Sequence, residues 1–314
     1  MAGAQAVTYE DLLDFLRSPE QVVLYALTNR ILKSEAECPK CKSPMVLQNF
    51  SQAPEGRALR CTACRHRLSI RTGTILEECN IGLSELFKFA YKWANDEKMK
   101  DIQRELRVTT TTTSRLAHKL VAACIHWSKK GDHRLGGPDR IVEIDETQLS
   151  RRKHEKGRLV PGSAVWIFGG IDRESKEVFL EWVKSRSEET LVPVIQEHIR
   201  PGTKIHSDSW RAYNHLDNIG RASPYSHGVV NHSKNYVDPE SGVHTQEIER
   251  LWREFKQPKK MRCGIPRSGI EGYCAEFTWK RWAKRQKIDL FQAVIQLIAT
   301  PDWDEALKAY PMSY

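Results

Sequence analysis

RIVEIDETQL, residues 140–149, alternates apolar and acidic side chains, with Val142 and Ile144 on one face of an extended chain and Glu143 and Asp145 on the other. The period is that of a strand, and its apolar half predicts burial. Solvent exposure, the usual account of a lone Asp, therefore fits Asp145 poorly. Glu143 shares the Asp145 face and is expected to be an exposed strand acid, with support of Asp145 as the alternative.

Downstream, SAVWIFGGI and EVFLEWV flank the turn DRESKE and predict a hairpin. SEETLVPVIQEHI has helical spacing, and TKIHSDSW is a second strand that ends in an acid, Asp208. After a polar loop, HTQEIERLWREFK, residues 244–256, predicts an amphipathic helix with Ile248, Leu251, Trp252 and Phe255 as its apolar stripe. Glu249 and Lys256 lie together on one border of that stripe; Glu247, Arg250 and Glu254 lie on the other. Thr245 is placed as N-cap, so the helix dipole alone accounts for Glu247 in the first turn. The order strand, hairpin, helix, strand, loop, helix predicts an α/β domain with acids at strand ends, where open sheets place their sites. Cutting or joining a phosphodiester needs charge stabilisation of both the attacking and the leaving oxygen. Two divalent cations held by carboxylates from different elements supply it, and magnesium favours such hard oxygen ligands.

Upstream, SKKGDHRLGGPDR marks a boundary near residue 137. Before it, GLSELFKFAYKWAND, MKDIQRELRV and TTTTTSRLAHKLVAACIHW predict three helices, broken between Val108 and Thr110. The last pair resembles a helix-turn-helix, which would offer Thr112, Thr113, Arg115 and Lys119 to DNA; a helical bundle without DNA-binding function is the alternative. Further upstream, Cys38 and Cys41 form one C-x-x-C pair and Cys61 and Cys64 another. Two such knuckles complete a tetrahedral thiolate site for one structural zinc, ahead of a redox pair or a disulfide. Lys40, Lys42, Arg57, Arg60, Arg65, Arg67 and Arg71 surround them against the single acid Glu55, and Arg65 and Arg67 are candidate phosphate contacts. The whole chain of 314 residues carries a net charge of +9, which favours a polyanionic partner, nucleic acid ahead of a membrane surface. No run is apolar enough for a membrane span and no leader is evident, so the expectation is an intracellular protein.

IVEIDET, HSDSWRAY, VNHSKNYVDPESGVHTQEIERLW and YCAEFTWKRW resemble the DDE transposases of the Merlin superfamily and related bacterial insertion sequences, and the likeness extends over most of the chain. The resemblance implies an RNase H-like fold for the catalytic domain, with Asp145, Asp208 and Glu249 binding two Mg2+ or Mn2+ ions and Lys256 touching the DNA end. The implied layout is multidomain α/β: an N-terminal helical segment (1–34), a zinc ribbon (35–75), a helix-turn-helix-like domain (80–131), the catalytic domain (138–300) and a tail (301–314). The implied activity is binding of transposon ends, phosphodiester cleavage and transfer of the 3′-hydroxyl to target DNA. Partners would be double-stranded DNA, as terminal inverted repeats and target, and further copies of the chain in a homodimer or larger assembly. The location would be the nucleus if the host is eukaryotic and the cytoplasm if it is bacterial. Two alternatives stand beside this: a domesticated DNA-binding derivative that no longer cuts, and a metal-dependent nuclease without strand transfer.

Overall fold

A computed structural model describes residues 6–149, 165–213, 215–219, 224–231, 237–261, 267–299 and 302–311. It divides into two units, Met1–Lys129 with Gln286–Tyr314, and Lys130–Arg285.

The first unit begins with α1 (Tyr9–Phe15) and α2 (Pro19–Thr28). Helix α1 starts where it does because the Thr8 side chain accepts the Asp11 backbone N–H while the Asp11 carboxylate accepts the Thr8 N–H, a reciprocal cap. A four-stranded antiparallel sheet follows in chain order: β1 (Ala36–Glu37), β2 (Pro44–Asn49), β3 (Arg57–Cys61) and β4 (Arg67–Leu68). Then come α3 (Leu83–Ala94), α4 (Met99–Leu106) and α5 (Thr110–Lys130). Arg107, in the left-handed region at φ 54°, ends α4, and the Thr109 hydroxyl accepts the Thr112 N–H at 3.2 Å to start α5. The break therefore falls where the hydroxyl run predicts it.

The second unit is built on β5 (Ile141–Gln148), β6 (Trp166–Asp172), β7 (Val178–Val183), α6 (Glu188–His198), β8 (Lys204–Asp208), β9 (Ser226–Val230), α7 (Gln246–Met261) and α8 (Ile270–Arg285). The sheet order is β7-β6-β5-β8-β9. Strands β5, β6 and β7 pair antiparallel, while β8 runs parallel to β5 and β9 parallel to β8. The alternation in β5 sorts its side chains as expected: Val142 and Ile144 enter a core with Phe168, Leu191, Ile195 and Tyr213. The opposite face of the sheet is covered by α7 and α8, through Ile248, Leu251, Trp252, Phe255 and Tyr273 against Ile167 and Ile171. Strand β9 is absent from the sequence expectation, because SHGVV offers a short apolar pair behind a His and a Gly and little period to detect.

The β6–β7 turn is tied by Asp172. Its carboxylate accepts the N–H groups of Glu174 at 2.8 Å and Ser175 at 2.9 Å, and pairs with Arg140 at 2.8 Å.

The chain then returns to the first unit in α9 (Leu290–Ala299) and α10 (Trp303–Ala309). Phe291 packs on Tyr91 with ring centroids at 5.9 Å and on Phe87 at 6.4 Å, and the Tyr310 ring stacks on His118 at 4.7 Å. This differs from the expected span of 138–300 for the second domain: residues 286–299 belong with the aromatic core around α3 rather than with the sheet. Periodicity shows that α9 is apolar, but not which core receives it.

Candidate active site and metal centre

The four cysteines converge. The Sγ atoms of Cys38, Cys41, Cys61 and Cys64 all lie within 4.8 Å of one another, with Cys38 to Cys64 at 3.5 Å and Cys41 to Cys61 at 3.4 Å. Four thiolates around one zinc at about 2.3 Å would stand roughly 3.8 Å apart, so the set fits a tetrahedral ion. The two knuckles match in backbone as well as in sequence. Lys42, directly after Cys41, and Arg65, directly after Cys64, take left-handed φ values of 61° and 63°, which turn each loop back on its own cysteine pair. The cluster could hold zinc, as the doubled motif predicts.

In the second unit the β5–β8 register pairs Val142 with Ile205 and Glu143 with His206. That register, continued two residues beyond its last pair, brings Asp208 level with Asp145, and the period of two puts both on the face of Glu143 and His206. Helix α7 crosses that face and is fastened to β5 at two points. Glu143, fully buried, accepts the backbone N–H groups of Glu247 at 2.9 Å and Ile248 at 3.0 Å, while Arg173 Nε donates to it at 2.6 Å. One turn on, Trp252 Nε1 donates to Asp145 Oδ2 at 2.9 Å. The Trp252 indole reaches Asp145 because Gly169, the β6 residue paired with Asp145, has no side chain: a Cβ there would stand 2.7 Å from the indole edge. Glu249 lies in the turn between these two fastenings, on the exposed flank of α7.

The expectation that Glu143 is an exposed strand acid is thus corrected. Two free amides at the α7 N-terminus and an arginine meet it, which supplies the charge compensation that burial of a carboxylate requires. Helix α7 starts directly after Thr245, whose carbonyl accepts the Glu249 N–H at 3.2 Å, and two further first-turn amides are capped from a strand 104 residues away. Glu247 ion-pairs with Lys176 at 3.1 Å, and Arg250 with Glu254 at 3.3 Å as an i, i+4 pair, so the border opposite Glu249 is occupied by surface pairing.

Electrostatics single out the same strand. Burial, then the charges of Glu146 and Asp208, push Asp145 up to about 7, against the Trp252 hydrogen bond that favours the anion. Burial likewise pushes Glu146 up to about 6, with Asp208 adding to it, while the Tyr213 hydroxyl, donating at 2.5 Å, opposes the shift. Asp208 Oδ1 accepts the Trp210 backbone N–H at 3.0 Å. Carboxylates that raise one another's pKa form a site suited to a cation. Among the described residues, the cysteines form a set of three or more potential metal ligands drawn together, and Asp145, Asp208 and Glu249 do not form a second one.

Of the side chains expected to face DNA, Thr113 and Lys119 are instead buried. Thr113 accepts Gln103 Nε2 at 2.8 Å, which ties α4 to α5, and Lys119 Nζ donates to the carbonyls of Ile75 and Glu77 at 3.1 and 2.7 Å. Arg115 donates to the Glu78 carbonyl at 2.6 Å, and Thr112 shares a hydroxyl contact with Thr109 at 2.9 Å. Both remain at least partly accessible. Arg65 is exposed; Arg67 is exposed too, with its guanidinium over the Phe50 ring at 3.8 Å. Arg71, by contrast, is buried against Glu55 and the Cys79 carbonyl. Lys256 is half-buried, two turns along from Glu249. In the loop before α7, Asp238 accepts the N–H and the hydroxyl of Ser241, a structural role. The basic run SRRKHEKGR, residues 150–158, and His232 and Asn235 lie outside the described residues. Arg173, Trp252 as a donor, and Glu146 escaped the sequence reading. The face that Glu143 shares with Asp145 signalled Glu143 alone.

Taken by itself, the second unit is an α/β domain with a carboxylate-centred site beside a helix fastened across its sheet. Its sequence matches the family model of the ISXO2-like transposase domain over residues 134–281. Over 91 residues the chain is 30% identical to an uncharacterized transposase-like protein of Haemophilus influenzae, a stretch that covers 29% of this chain and 69% of that protein. The chain belongs to this transposase family. Among solved structures, it overlaps the simian T-cell lymphotropic virus intasome in complex with PP2A regulatory subunit B56 gamma at a TM-score of 0.31 and 14% identity, over 61% of this chain and 68% of that one. It overlaps the HTLV-2 integrase catalytic core domain in complex with magnesium at a TM-score of 0.29 and 11% identity, over 47% of this chain and 95% of that one. Among the described residues, no helix is long and apolar enough to cross a membrane.

Proposed function

We propose that the chain is a DDE DNA transposase of the Merlin type, which binds transposon ends, cleaves them and joins the freed 3′-hydroxyl to target DNA. The observation that carries this reading is the level placement of Asp145 and Asp208 on neighbouring strands, with α7 fastened across the same face so that Glu249 lies beside them. The sheet order β7-β6-β5-β8-β9, three antiparallel strands followed by two parallel ones, supports an RNase H-like reading of the domain.

In this reading Asp145, Asp208 and Glu249 hold two Mg2+ or Mn2+ ions. The ions would supply charge stabilisation to both oxygens of an in-line displacement and lower the pKa of the attacking water or hydroxyl. The protein's own contribution is positional. Trp252 holds Asp145 by Oδ2, the Trp210 amide holds Asp208 by Oδ1, and the Glu143 cap sets where Glu249 stands along β5. Lys256, on the same border of α7, would meet a phosphate at the DNA end. The zinc ribbon, with Arg65 and Arg67 outward, and α5, with Thr112 and Arg115, would hold duplex DNA, and pairing two ends would require at least a dimer.

The test is cleavage of duplexes that carry the terminal repeats flanking the gene. The full chain should nick them and join them to a second DNA in Mg2+, and Asp145→Asn and Asp208→Asn should bind the same duplex with neither nicking nor joining. Cleavage that survives in either variant would remove the carboxylates from the reaction. Nicking without joined products would favour a nuclease.

A further inference from the structure

Arg186, between β7 and α6, lies with its guanidinium carbon 4.2 Å from the centroid of the Trp166 ring and 4.4 Å from that of Trp210. A guanidinium that stacks on rings engages its faces and leaves its N–H edge for hydrogen bonds. No described residue accepts any of the Arg186 side-chain N–H groups. Its main chain is tied as well, because the Trp210 indole N–H donates to the Arg186 carbonyl at 3.0 Å. Trp210 is also the residue whose backbone N–H holds Asp208, so one tryptophan positions both the arginine and the acid. The Arg186 charge is felt at Glu146, beside Asp145 on β5. Together with Ser185, Ser187 and Arg211 it lines an open cleft of about 480 Å³, which Glu188 and Glu189 also line.

We propose that Arg186 is a phosphate fork beside the carboxylate site: its N–H edge grips one backbone phosphate of a DNA strand whose neighbouring linkage is presented to Asp145 and Asp208. This rests on the transposase reading given above. Two features separate a fork from a staple between loops. A staple needs the ring contacts alone, whereas here the five side-chain donors meet no acceptor among the described residues and the guanidinium is held between two rings, which is the preorganised geometry that bidentate phosphate recognition uses. The position also suits a strand that leaves the active site, since Trp210 and Asp208 are two residues apart at the end of β8. A fork there would fix the register of the strand, and through it which phosphodiester meets the acids.

The experiment uses the full chain and duplexes ending in the flanking terminal repeat, bound in Ca2+ so that they are held without cutting. Each phosphate near the end is replaced in turn by a neutral methylphosphonate. Wild-type protein should lose about ten-fold in affinity on neutralisation of one particular linkage close to the end. Arg186→Ala should lose about ten-fold on unmodified DNA and show no further loss at that linkage, while losses at other linkages persist. Arg186→Lys, which keeps the charge and the stem over the indoles, should fall between them; its folding, followed by tryptophan fluorescence, separates loss of the fork from loss of structure. An Arg186→Ala profile with the same sensitive linkage as wild type would overturn the proposal and leave the transposase reading standing. Wild-type protein that is insensitive to every linkage near the end would overturn both.

Discussion

The chain carries two candidate metal centres, and they are built in opposite ways. In the ribbon, each pair of ligands sits on one tight knuckle with a left-handed residue behind it, so local backbone geometry delivers four sulfurs within 4.8 Å of one another. In the sheet, the proposed ligands come from two strands and a helix separated by dozens of residues, and the like charges of Asp145 and Asp208 oppose close approach. The first centre is closed and suits a structural ion; the second depends on how firmly one helix is fastened to one strand, which leaves it open to substrate. The first centre therefore depends on its cysteines and the second on buried hydrogen bonds.

The largest expected effect is on the ribbon. Purified protein should contain about one zinc per chain, and Cys61→Ser should abolish that zinc. Structural zinc contributes on the order of 10 kcal/mol in small modules, so amide protection across β2 and β3 should vanish while that of β5 and β6 persists. Loss of protection in both sheets would mean that the two centres are not separate. Next comes Glu143→Ala, which leaves Arg173 and two α7 amides without their acceptor and should cost about 3–5 kcal/mol in urea unfolding of the second unit. A change below about 1 kcal/mol would show that α7 is not held by that carboxylate.

Asp172→Asn is smaller, about 1–3 kcal/mol at neutral pH. Burial raises the Asp172 pKa, but Arg140 and the amides of Ser175 and Glu174 outweigh it, so the folded value lies below the ordinary carboxylate range. The stabilisation is then present above that range and fades as pH falls through the folded value. The gap between wild type and variant in unfolding free energy should therefore close in acid, and a gap that widens there would contradict the assignment. Arg250→Ala should be nearly silent, under about 0.5 kcal/mol by the same measurement, because its partner Glu254 also meets Arg281 and Arg250 is 69% exposed.

Much of this organisation was legible in the sequence because it is periodic or local. The β5 alternation, the β6–β7 hairpin, the apolar stripe of α7 and both cysteine knuckles are each written within a dozen residues. What was not legible depends on partners far away in the chain. Glu143 reads as a surface acid until α7 arrives over it, and Lys119 and Thr113 read as a helix face open to DNA until the 75–79 segment and Gln103 cover them. Residues 286–299 read as a continuation of the catalytic domain, and only the Phe87 and Tyr91 rings show where they pack. A fragment that ends at residue 137 would accordingly strip Phe291 from that core, so end-binding tests belong to the full chain.

In the proposed mechanism α7 presents Glu249, not Glu247, to Asp145 and Asp208. Both glutamates lie in its first turn, yet Glu247 is paired with Lys176 and its backbone is bound by Glu143, whereas Glu249 occupies the other flank. Mg2+-dependent cleavage and strand transfer by Glu249→Gln and Glu247→Gln, each on pre-bound terminal-repeat duplex, test this directly. The account predicts that Glu249→Gln loses both reactions while its DNA binding is retained, and that Glu247→Gln keeps most of the wild-type rate. Loss of cleavage in Glu247→Gln with activity retained in Glu249→Gln would contradict it.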